Sequence, residues 1–310
     1  MLEAMQNKLH ENKTLMVLVE GSASVKKQLR PLQKGIARLA FGTYERYQRT
    51  DIEVVPVSVN FDNPTQFRLT PMIVLGESIL LSDYLAQYQA NKSQTINQLM
   101  KSLTQKMREH LIHIEDLADE SLVEQLLEVY RNQYPVPQFP VFERHNEPLE
   151  AQIKIATAIN HLPTADKQAL ITQTTAYFSG LQQLGWSDYG LSTRTHPLAW
   201  LGFLVGLVPF LIGYCLNFLF PIISKTVAEK KVKKIQYFIP VYWAMSSLTY
   251  LFYFLLLLFL AVLSGKIILI VAVLLMPWLG YFTILYQEAW GKRKEIRSVK
   301  QCSAKEKKNH

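Results

Sequence analysis

The alternation of apolar and polar positions divides the chain into three parts. In the first, an apolar run from Leu15 to Val19 ends in Glu20-Gly21-Ser22, which is typical of a buried strand that leads into a loop. A helix is predicted over residues 31–40, with Lys34 in its first turn, and a second buried strand over residues 53–59. A short helix over residues 1–13 and a strand over residues 72–75 flank these elements. Their order predicts a partial α/β layer over residues 1–90, with its polar residues at one end of the sheet.

The second part is predicted to be helical. Between residues 93 and 114, apolar side chains recur every three or four positions, which indicates an amphipathic helix. Further helices are predicted over residues 119–130, 149–159 and 165–184, and Thr164 is the expected N-cap of the last one. The sequence therefore predicts a small helical domain over residues 91–195.

The third part contains three apolar stretches without a charged residue, over residues 198–223, 237–263 and 267–286. A helix needs about 20 apolar residues to cross a bilayer, so each stretch is long enough. We expect a membrane-embedded helical region over residues 196–290, followed by a basic cytoplasmic tail over residues 291–310.

Charge is distributed unevenly along the chain, which carries a net +8. Residues 1–195 hold 19 Lys and Arg against 21 Asp and Glu, whereas residues 196–310 hold 14 against 4. The excess positive charge therefore flanks the apolar stretches, which indicates an anionic membrane surface as partner rather than nucleic acid. The two cysteines provide no disulfide framework, which agrees with a soluble part on the cytoplasmic side.

The basic flanks also predict an orientation. Lysines 225–234 separate the first and second apolar stretches, and a second basic cluster begins at Lys292. The positive-inside rule places both clusters in the cytoplasm and makes the second and third stretches a hairpin. With a cytoplasmic soluble part, the first stretch then enters and leaves on one side, bent near Pro209 and Gly213, or lies in the interface. A single crossing of residues 198–223 is the alternative.

Four blocks in the first part resemble a known family. They are Leu18–Ser22, Leu29–Leu32, Lys34–Arg38 and Val55–Val57. In order and spacing they resemble the C-terminal half of the acyltransferase domain of the phospholipid/glycerol acyltransferase family, of the glycerol-3-phosphate and 1-acylglycerol-3-phosphate type. Phe67-Arg68 and the segment 73–77 also match. The resemblance covers residues 14–80.

The resemblance implies an acceptor-binding site made of Glu20, Gly21, Ser22, Arg30, Lys34 and Arg68. The Glu20 carboxylate would accept hydrogen bonds from the glycerol hydroxyls, and Gly21 would allow close approach of the backbone. The cationic side chains would bind the phosphate. The alternative is an ordinary turn between strand and loop with solvated Lys and Arg side chains.

The sequence also departs from the family pattern. Val19 replaces a Pro, Ala23 replaces an Arg, and the catalytic His-x4-Asp motif is missing, since Leu15 stands where His10 would need an Asp. In that motif the His accepts the proton of the acceptor hydroxyl and the Asp orients the imidazole. The base is therefore expected upstream of Met1. His161 and Asp166 have the same spacing, but they follow Glu20 and are better explained as the start of a helix.

Two classes of function remain open. The first is a membrane-bound glycerolipid acyltransferase, or a truncated part of one, in phospholipid biosynthesis. It would transfer a fatty acyl group from an acyl-CoA or acyl-carrier donor to glycerol-3-phosphate or a lysophospholipid. The second is a non-catalytic, membrane-anchored lipid-binding or interaction protein. No His/Cys cluster has metal-ligand spacing, and His110 and His113 are expected on a helix surface, so neither a metal nor another cofactor is predicted.

Overall fold

The computed structural model describes residues 1–21, 24–62, 70–135, 146–192, 199–233 and 237–309. The fold is mostly helical, with a few short strands and three long apolar helices near the C-terminus. The chain divides into two compact units, one of residues 1–64, 68–127 and 137–168 and the other of residues 65–67, 128–136 and 169–310. The predicted boundaries at residues 90 and 195 stay predictions.

The first unit contains the following elements in chain order: α1 (Leu2–His10), α2 (Gly35–Tyr47), β1 (Glu53–Val54), β2 (Val57–Phe61), β3 (Pro71–Leu75), β4 (Ile79–Leu80), a 3₁₀ turn (Leu81–Tyr84), α3 (Leu85–Ala90), α4 (Lys92–Arg108), a 3₁₀ turn (Leu117–Asp119), the start of α5 (Glu120–Gln133), α6 (Glu147–His161) and the start of α7 (Thr164–Leu184). The predicted helices are therefore confirmed, with their ends shifted by up to seven residues. The helix predicted from residue 31 begins at Gly35, so Lys34 is its N-cap rather than part of its first turn.

The core of the first unit lies where α2, α3 and α4 meet the β1–β4 pair. Phe41 of α2 is fully buried and stacks on Tyr88 of α3, with ring centroids 4.0 Å apart. The apolar stripe predicted for α4 supplies four members of this core: Leu99, Met100, Leu103 and Met107. Helix packing around one aromatic stack therefore holds this unit together.

The apolar run from Leu15 to Val19 is not a strand, so this prediction is wrong. Met16 and Leu18 are 85% and 78% exposed, and the run pairs with no strand among the described residues. An extended run becomes a strand only where a neighbour satisfies its backbone N–H and C=O groups. The described strands pair with one another instead, β1 with β4 and β2 with β3, both antiparallel. Two separate pairs therefore stand where one α/β layer was expected.

The strand predicted over residues 53–59 is interrupted by Pro56, whose missing N–H ends β1 before β2 begins. In a buried strand the apolar side chains are expected to point inward, but β2 buries its polar side chains and exposes its apolar ones. Its inward side chains are the polar Ser58 and Asn60, and the Asn60 amide bonds the backbone of His110 and Ile112 at 2.8 Å each. The outer face of the β2–β3 pair is apolar and 38–71% exposed: Val57, Val59, Phe61, Ile73 and Leu75.

The second unit contains the ends of α5 and α7, the short α8 (Asp188–Ser192) and four further helices: α9 (Ala199–Asn217), α10 (Leu219–Lys231), α11 (Phe238–Leu263) and α12 (Ile267–Asn309). Three of them, over Trp200–Asn217, Phe238–Leu263 and Ile267–Val299, contain spans long and apolar enough to cross a membrane. The prediction of three apolar membrane helices agrees with this finding.

α9 packs along α12 through small residues. A Cβ atom on Gly213 would lie 2.4 Å from Thr283 Oγ1 and 2.5 Å from the Leu279 carbonyl oxygen. Asn217 donates from Nδ2 to the Met276 carbonyl oxygen at 3.3 Å, and the Tyr286 hydroxyl donates to the Phe203 carbonyl oxygen at 2.9 Å. Close backbone approach through small residues is a common way for membrane helices to associate.

The first apolar stretch changes direction at Phe218, between α9 and α10. α9 continues as one helix through Pro209 and Gly213, so the chain does not leave the helical conformation there. α9 runs antiparallel to α12, because Phe203 lies beside Trp290 and Asn217 beside Met276. α10 packs on α11, with the Phe220 and Tyr250 rings 4.9 Å apart. Because α11 and α12 form a hairpin, α9 and α10 run in opposite directions beside it.

Candidate functional site

The loop that carries Glu20 is closed by backbone hydrogen bonds. The Gly21 N–H donates to the Leu18 carbonyl oxygen at 3.4 Å, which forms a tight turn. The Gln33 N–H donates to the Val19 carbonyl oxygen at 2.7 Å. The second bond brings the segment around Glu20 beside the residues that lead into α2.

The structure brings Glu20 and Arg30 together. Arg30 Nε donates to Glu20 Oε2 at 3.2 Å, and each side chain is about one-third exposed. An ion pair as open to water as this contributes about 0–1 kcal/mol. Its main effect is to fix where the carboxylate and the guanidinium lie.

Gly21 supplies the conformation that the turn requires. Its φ of +73° lies in the left-handed region, which costs a residue with a Cβ atom free energy. The nearest neighbour of a Cβ atom at this position would be Gln33 Cγ, at the ordinary contact distance of 3.4 Å. Backbone conformation, rather than space, therefore accounts for a glycine here.

Lys34 lies at the N-terminus of α2. No side chain caps this end of the helix, and its first turn contains no acidic residue. The N–H groups of a first helical turn and a nearby ammonium group both favour an anion. Ser22 and Arg68, the other two predicted site residues, lie outside the described residues.

His113 was expected on a helix surface, but it lies after the end of α4 and hydrogen-bonds the segment between Glu20 and Lys34. α4 ends at Arg108, and His113 Nδ1 accepts a hydrogen bond from the Leu29 N–H at 3.0 Å. The same two segments are joined by the Ile114 N–H, which donates to the Lys27 carbonyl oxygen at 2.8 Å. This role of His113 was missed from the sequence because a contact between residues 84 positions apart produces no periodic pattern there.

The environment of His113 favours its neutral form. Burial lowers the pKa of the imidazole below its ordinary value of 6.5, and the charge of Arg108 lowers it further, while Glu115 opposes this shift. Because Nδ1 accepts a hydrogen bond, the neutral tautomer carries its proton on Nε2. Protonation of His113 at Nδ1 would break its hydrogen bond with the N–H of Leu29, the residue before Arg30.

His110 is also off the helix surface. Its carbonyl oxygen accepts a hydrogen bond from Asn60, and its ring lies close to Gly76. It connects the end of α4 with the β2–β3 pair.

His161 and Asp166, which have the His-x4-Asp spacing, form no pair. His161 is in the last turn of α6, where its Nδ1 lies 2.8 Å from the Thr157 carbonyl oxygen, and Asp166 is in the first turn of α7. Both side chains are exposed. In the described part of the chain, no histidine hydrogen-bonds a carboxylate.

A cleft of about 340 Å³ opens elsewhere in the first unit, between the 3₁₀ turn before α3 and the middle of α4. Lys106 lines it and pairs with Glu77 at 2.6 Å. Glu20 and Arg30 do not line this cleft. Among residues 1–21, 24–62, 70–135, 146–192, 199–233 and 237–309, no group of three or more His, Cys, Asp and Glu side chains is arranged to hold a metal ion.

The chain is 21% identical over 130 residues to glycerol-3-phosphate O-acyltransferase 1 of Saccharomyces cerevisiae. This is a distant similarity to an acyltransferase. The match covers 41% of this chain and 17% of the yeast enzyme, so the matched segment spans about a sixth of that protein. No protein-family model and no solved structure matches the chain.

Proposed function

We propose that this chain is the acceptor-binding and membrane-anchoring part of a glycerolipid acyltransferase. The observation that carries the proposal is the closed loop that holds the Glu20 carboxylate 3.2 Å from Arg30, beside the N-terminus of α2. The family blocks around Glu20, Arg30 and Lys34, together with the similarity to a yeast glycerol-3-phosphate acyltransferase, support it.

In the proposed reaction, the acceptor is glycerol-3-phosphate or a lysophospholipid, and the donor is an acyl-CoA or an acyl-carrier thioester. The acceptor oxygen forms an ester bond with the acyl carbon, the thioester bond breaks, and the hydroxyl proton passes through a base to the departing thiolate. Glu20 orients the acceptor hydroxyls, while Arg30 and Lys34, with Ser22 and Arg68, bind the phosphate.

The proposal assigns the base to a His-x4-Asp segment encoded upstream of Met1. In support of this assignment, the described histidines form no pair with a carboxylate, whereas Met16, Leu18 and the outer face of the β2–β3 pair expose apolar side chains. Such surfaces usually contact another part of a protein. An upstream reading frame without His-x4-Asp would remove the base from the proposal.

A second candidate function is a non-catalytic, membrane-anchored lipid-binding protein. The observation that favours it is the lack of an imidazole–carboxylate pair in the described part of the chain. An assay of acyl transfer from acyl-CoA and from acyl carrier protein to glycerol-3-phosphate, made on the chain together with any segment encoded upstream of Met1, separates the two functions. Incorporation of acyl groups supports the enzyme, and binding of the acceptor without turnover supports the second function.

The first prediction concerns Glu20 in the longest form of the protein that transfers acyl groups. Glu20→Gln removes the charge that pairs with Arg30, and we expect it to lower kcat/KM for the acceptor by at least about 100-fold, equivalent to about 2.7 kcal/mol. Flotation with membranes should be unchanged, because α9–α12 lie far along the chain from this loop. Glu11→Gln, a carboxylate at an exposed position after α1, is the matched control. Full activity of the Glu20→Gln variant would refute the site assignment.

A further inference from the structure

Four side chains form a basic and aromatic patch on the extension of α12 beyond its apolar stretch. They are Trp290, Arg293, Lys294 and Arg297, and they line a cavity of about 260 Å³. Their spacing of three and four residues places them on one face of the helix. The opposite face packs on α8, with Gly190 against Glu295 and Val299. Glu295 also accepts a hydrogen bond from the hydroxyl of Ser187, just before α8, at 2.7 Å.

The Arg293 side chain packs on an aromatic ring, and no ion pair with a described carboxylate balances its charge. Its guanidinium carbon lies 4.8 Å from the centroid of the Phe203 ring of α9, and its Nη1 is buried without a hydrogen-bond partner. A buried donor without a partner is rare in proteins and costs about 1–3 kcal/mol, more when it is charged. No carboxylate in the described part of the chain pairs with Arg293, Lys294 or Arg297. The Arg293 side chain, which lines the cavity, therefore has one N–H group for which the described residues supply no acceptor.

With the apolar stretch of α12 placed across a membrane, the patch lies at the level of the lipid headgroups. The apolar stretch of α12 ends at Tyr286, so a rise of about 1.5 Å per residue puts the Cα of Trp290 about 6 Å and that of Arg293 about 10 Å beyond it. Helical side chains tilt toward the N-terminus of the helix, which here directs the Arg293 side chain back toward the apolar stretch. Trp side chains are enriched at this border in membrane proteins.

We propose that Trp290, Arg293, Lys294 and Arg297 form a binding site for the headgroup of an anionic phospholipid. The guanidinium groups match phosphate oxygens with paired N–H donors, Lys294 adds a further charge, and the Trp290 ring packs against the glycerol and upper acyl region. The lipid phosphate supplies the acceptor that Arg293 Nη1 lacks. The proposal depends on placing α12 in a membrane and is independent of acyl transfer.

The test uses the full chain in nanodiscs of phosphatidylcholine alone and of phosphatidylcholine mixed with phosphatidylglycerol. The wild-type melting temperature should rise in the mixed lipid, and native mass spectrometry should show retained phosphatidylglycerol. We expect Arg293→Gln combined with Arg297→Gln to lose most of both effects. Lys230→Gln combined with Lys231→Gln removes two exposed charges at the end of α10 and should keep them. Arg293→Lys should show an intermediate loss, because it keeps the charge but not the paired donors.

Two results would overturn the lipid site. One is an equal rise in melting temperature for the wild-type chain and the Arg293→Gln/Arg297→Gln variant. The other is an equal rise when inorganic phosphate is added to phosphatidylcholine nanodiscs, since the cavity would then select a free anion. Flotation of both double variants checks that membrane association itself persists, so that loss of the lipid site is distinguished from loss of the membrane placement.

Discussion

At the scale of single residues, the candidate site depends on a few contacts that hold one loop. Glu20 and Arg30 are joined by an ion pair, and the Leu29 N–H is bonded to His113. Both contacts are partly open to water, so neither stabilises the fold greatly. Their effect is to restrict where the two charged groups of the loop lie relative to α2.

Substitution of Gly21 tests whether the loop requires a left-handed backbone conformation at this position. Gly21→Ala forces a Cβ atom into the left-handed region, and we expect the free energy of unfolding to fall by about 1–2 kcal/mol. Gly35→Ala is the control, since Gly35 begins α2, has no atom within 4 Å of a Cβ and gains helix propensity. Denaturant unfolding of both variants in detergent gives the comparison. Equal effects of the two substitutions would contradict a left-handed Gly21.

The lowered pKa of His113 predicts that the folded protein loses stability in mild acid. Because burial lowers its pKa, the unfolded chain binds the proton more strongly than the folded chain does. Stability is therefore fully present above the ordinary pKa of 6.5 and is lost as the pH falls from there through the lowered value. We expect His113→Asn, whose Oδ1 can accept the Leu29 N–H, to lose less stability than the wild type between neutral and mildly acidic pH. Melting temperatures across that range measure it, and parallel curves would rule out His113 as the sensitive group.

At the scale of elements, the hydrogen bonds of polar side chains decide which face of β2 is buried. The sequence of β2 alternates between apolar and polar residues, and the segment was predicted as a buried strand. The structure buries Ser58 and Asn60 instead, because Asn60 satisfies the backbone N–H of Ile112 and the carbonyl of His110. Period-two alternation therefore identifies the strand, while the partners of its polar side chains decide which face is inward.

The contact between α9 and α12 leads to a prediction about membrane-helix packing. Gly213→Val places a side chain where Thr283 and Leu279 already lie, so the two helices must separate. We expect the melting temperature in detergent to fall by several degrees. Gly202→Val, in the same helix with nothing within 4 Å, should change it little. If both variants melt alike, the packing of α9 on α12 through Gly213 is wrong.

At the scale of the whole molecule, we propose that α9 and α10 form a re-entrant pair. α9 begins beside Trp290, with the Phe203 and Trp290 rings 5.9 Å apart, and ends beside Met276 in the middle of the apolar part of α12. α10 then returns along α11, where the Ser224 and Thr249 hydroxyls lie 2.9 Å apart. Both ends of the pair thus approach the side of the basic flanks.

Thiol labelling distinguishes this arrangement from a single crossing. In a chain with Cys215→Ser and Cys302→Ser, single cysteines at Lys8, Lys231 and Lys266 are treated with an impermeant maleimide in oriented vesicles. A re-entrant pair puts Lys8→Cys and Lys231→Cys on one side and Lys266→Cys, in the α11–α12 turn, on the other. A single crossing of residues 198–223 would instead put Lys8→Cys on the side of Lys266→Cys, which would exclude the re-entrant pair.

The sequence by itself determined the positions of the helices, the three apolar stretches and the concentration of positive charge around them. These features follow from local periodicity and composition, which act within a few turns of the chain. Glu20, Gly21, Arg30 and Lys34 were proposed as site residues from residue order through the family resemblance, and that assignment stays a prediction.

Tertiary structure alone decided the exposure of Leu15–Val19, the polar inner face of β2, the hydrogen bond between His113 and Leu29 and the bend at Phe218. Each depends on a partner far away in the sequence: a missing neighbouring strand, the segment after α4, or the α11–α12 hairpin. Backbone and buried polar groups must find hydrogen-bond partners wherever the fold supplies them, and a local pattern does not say where that is.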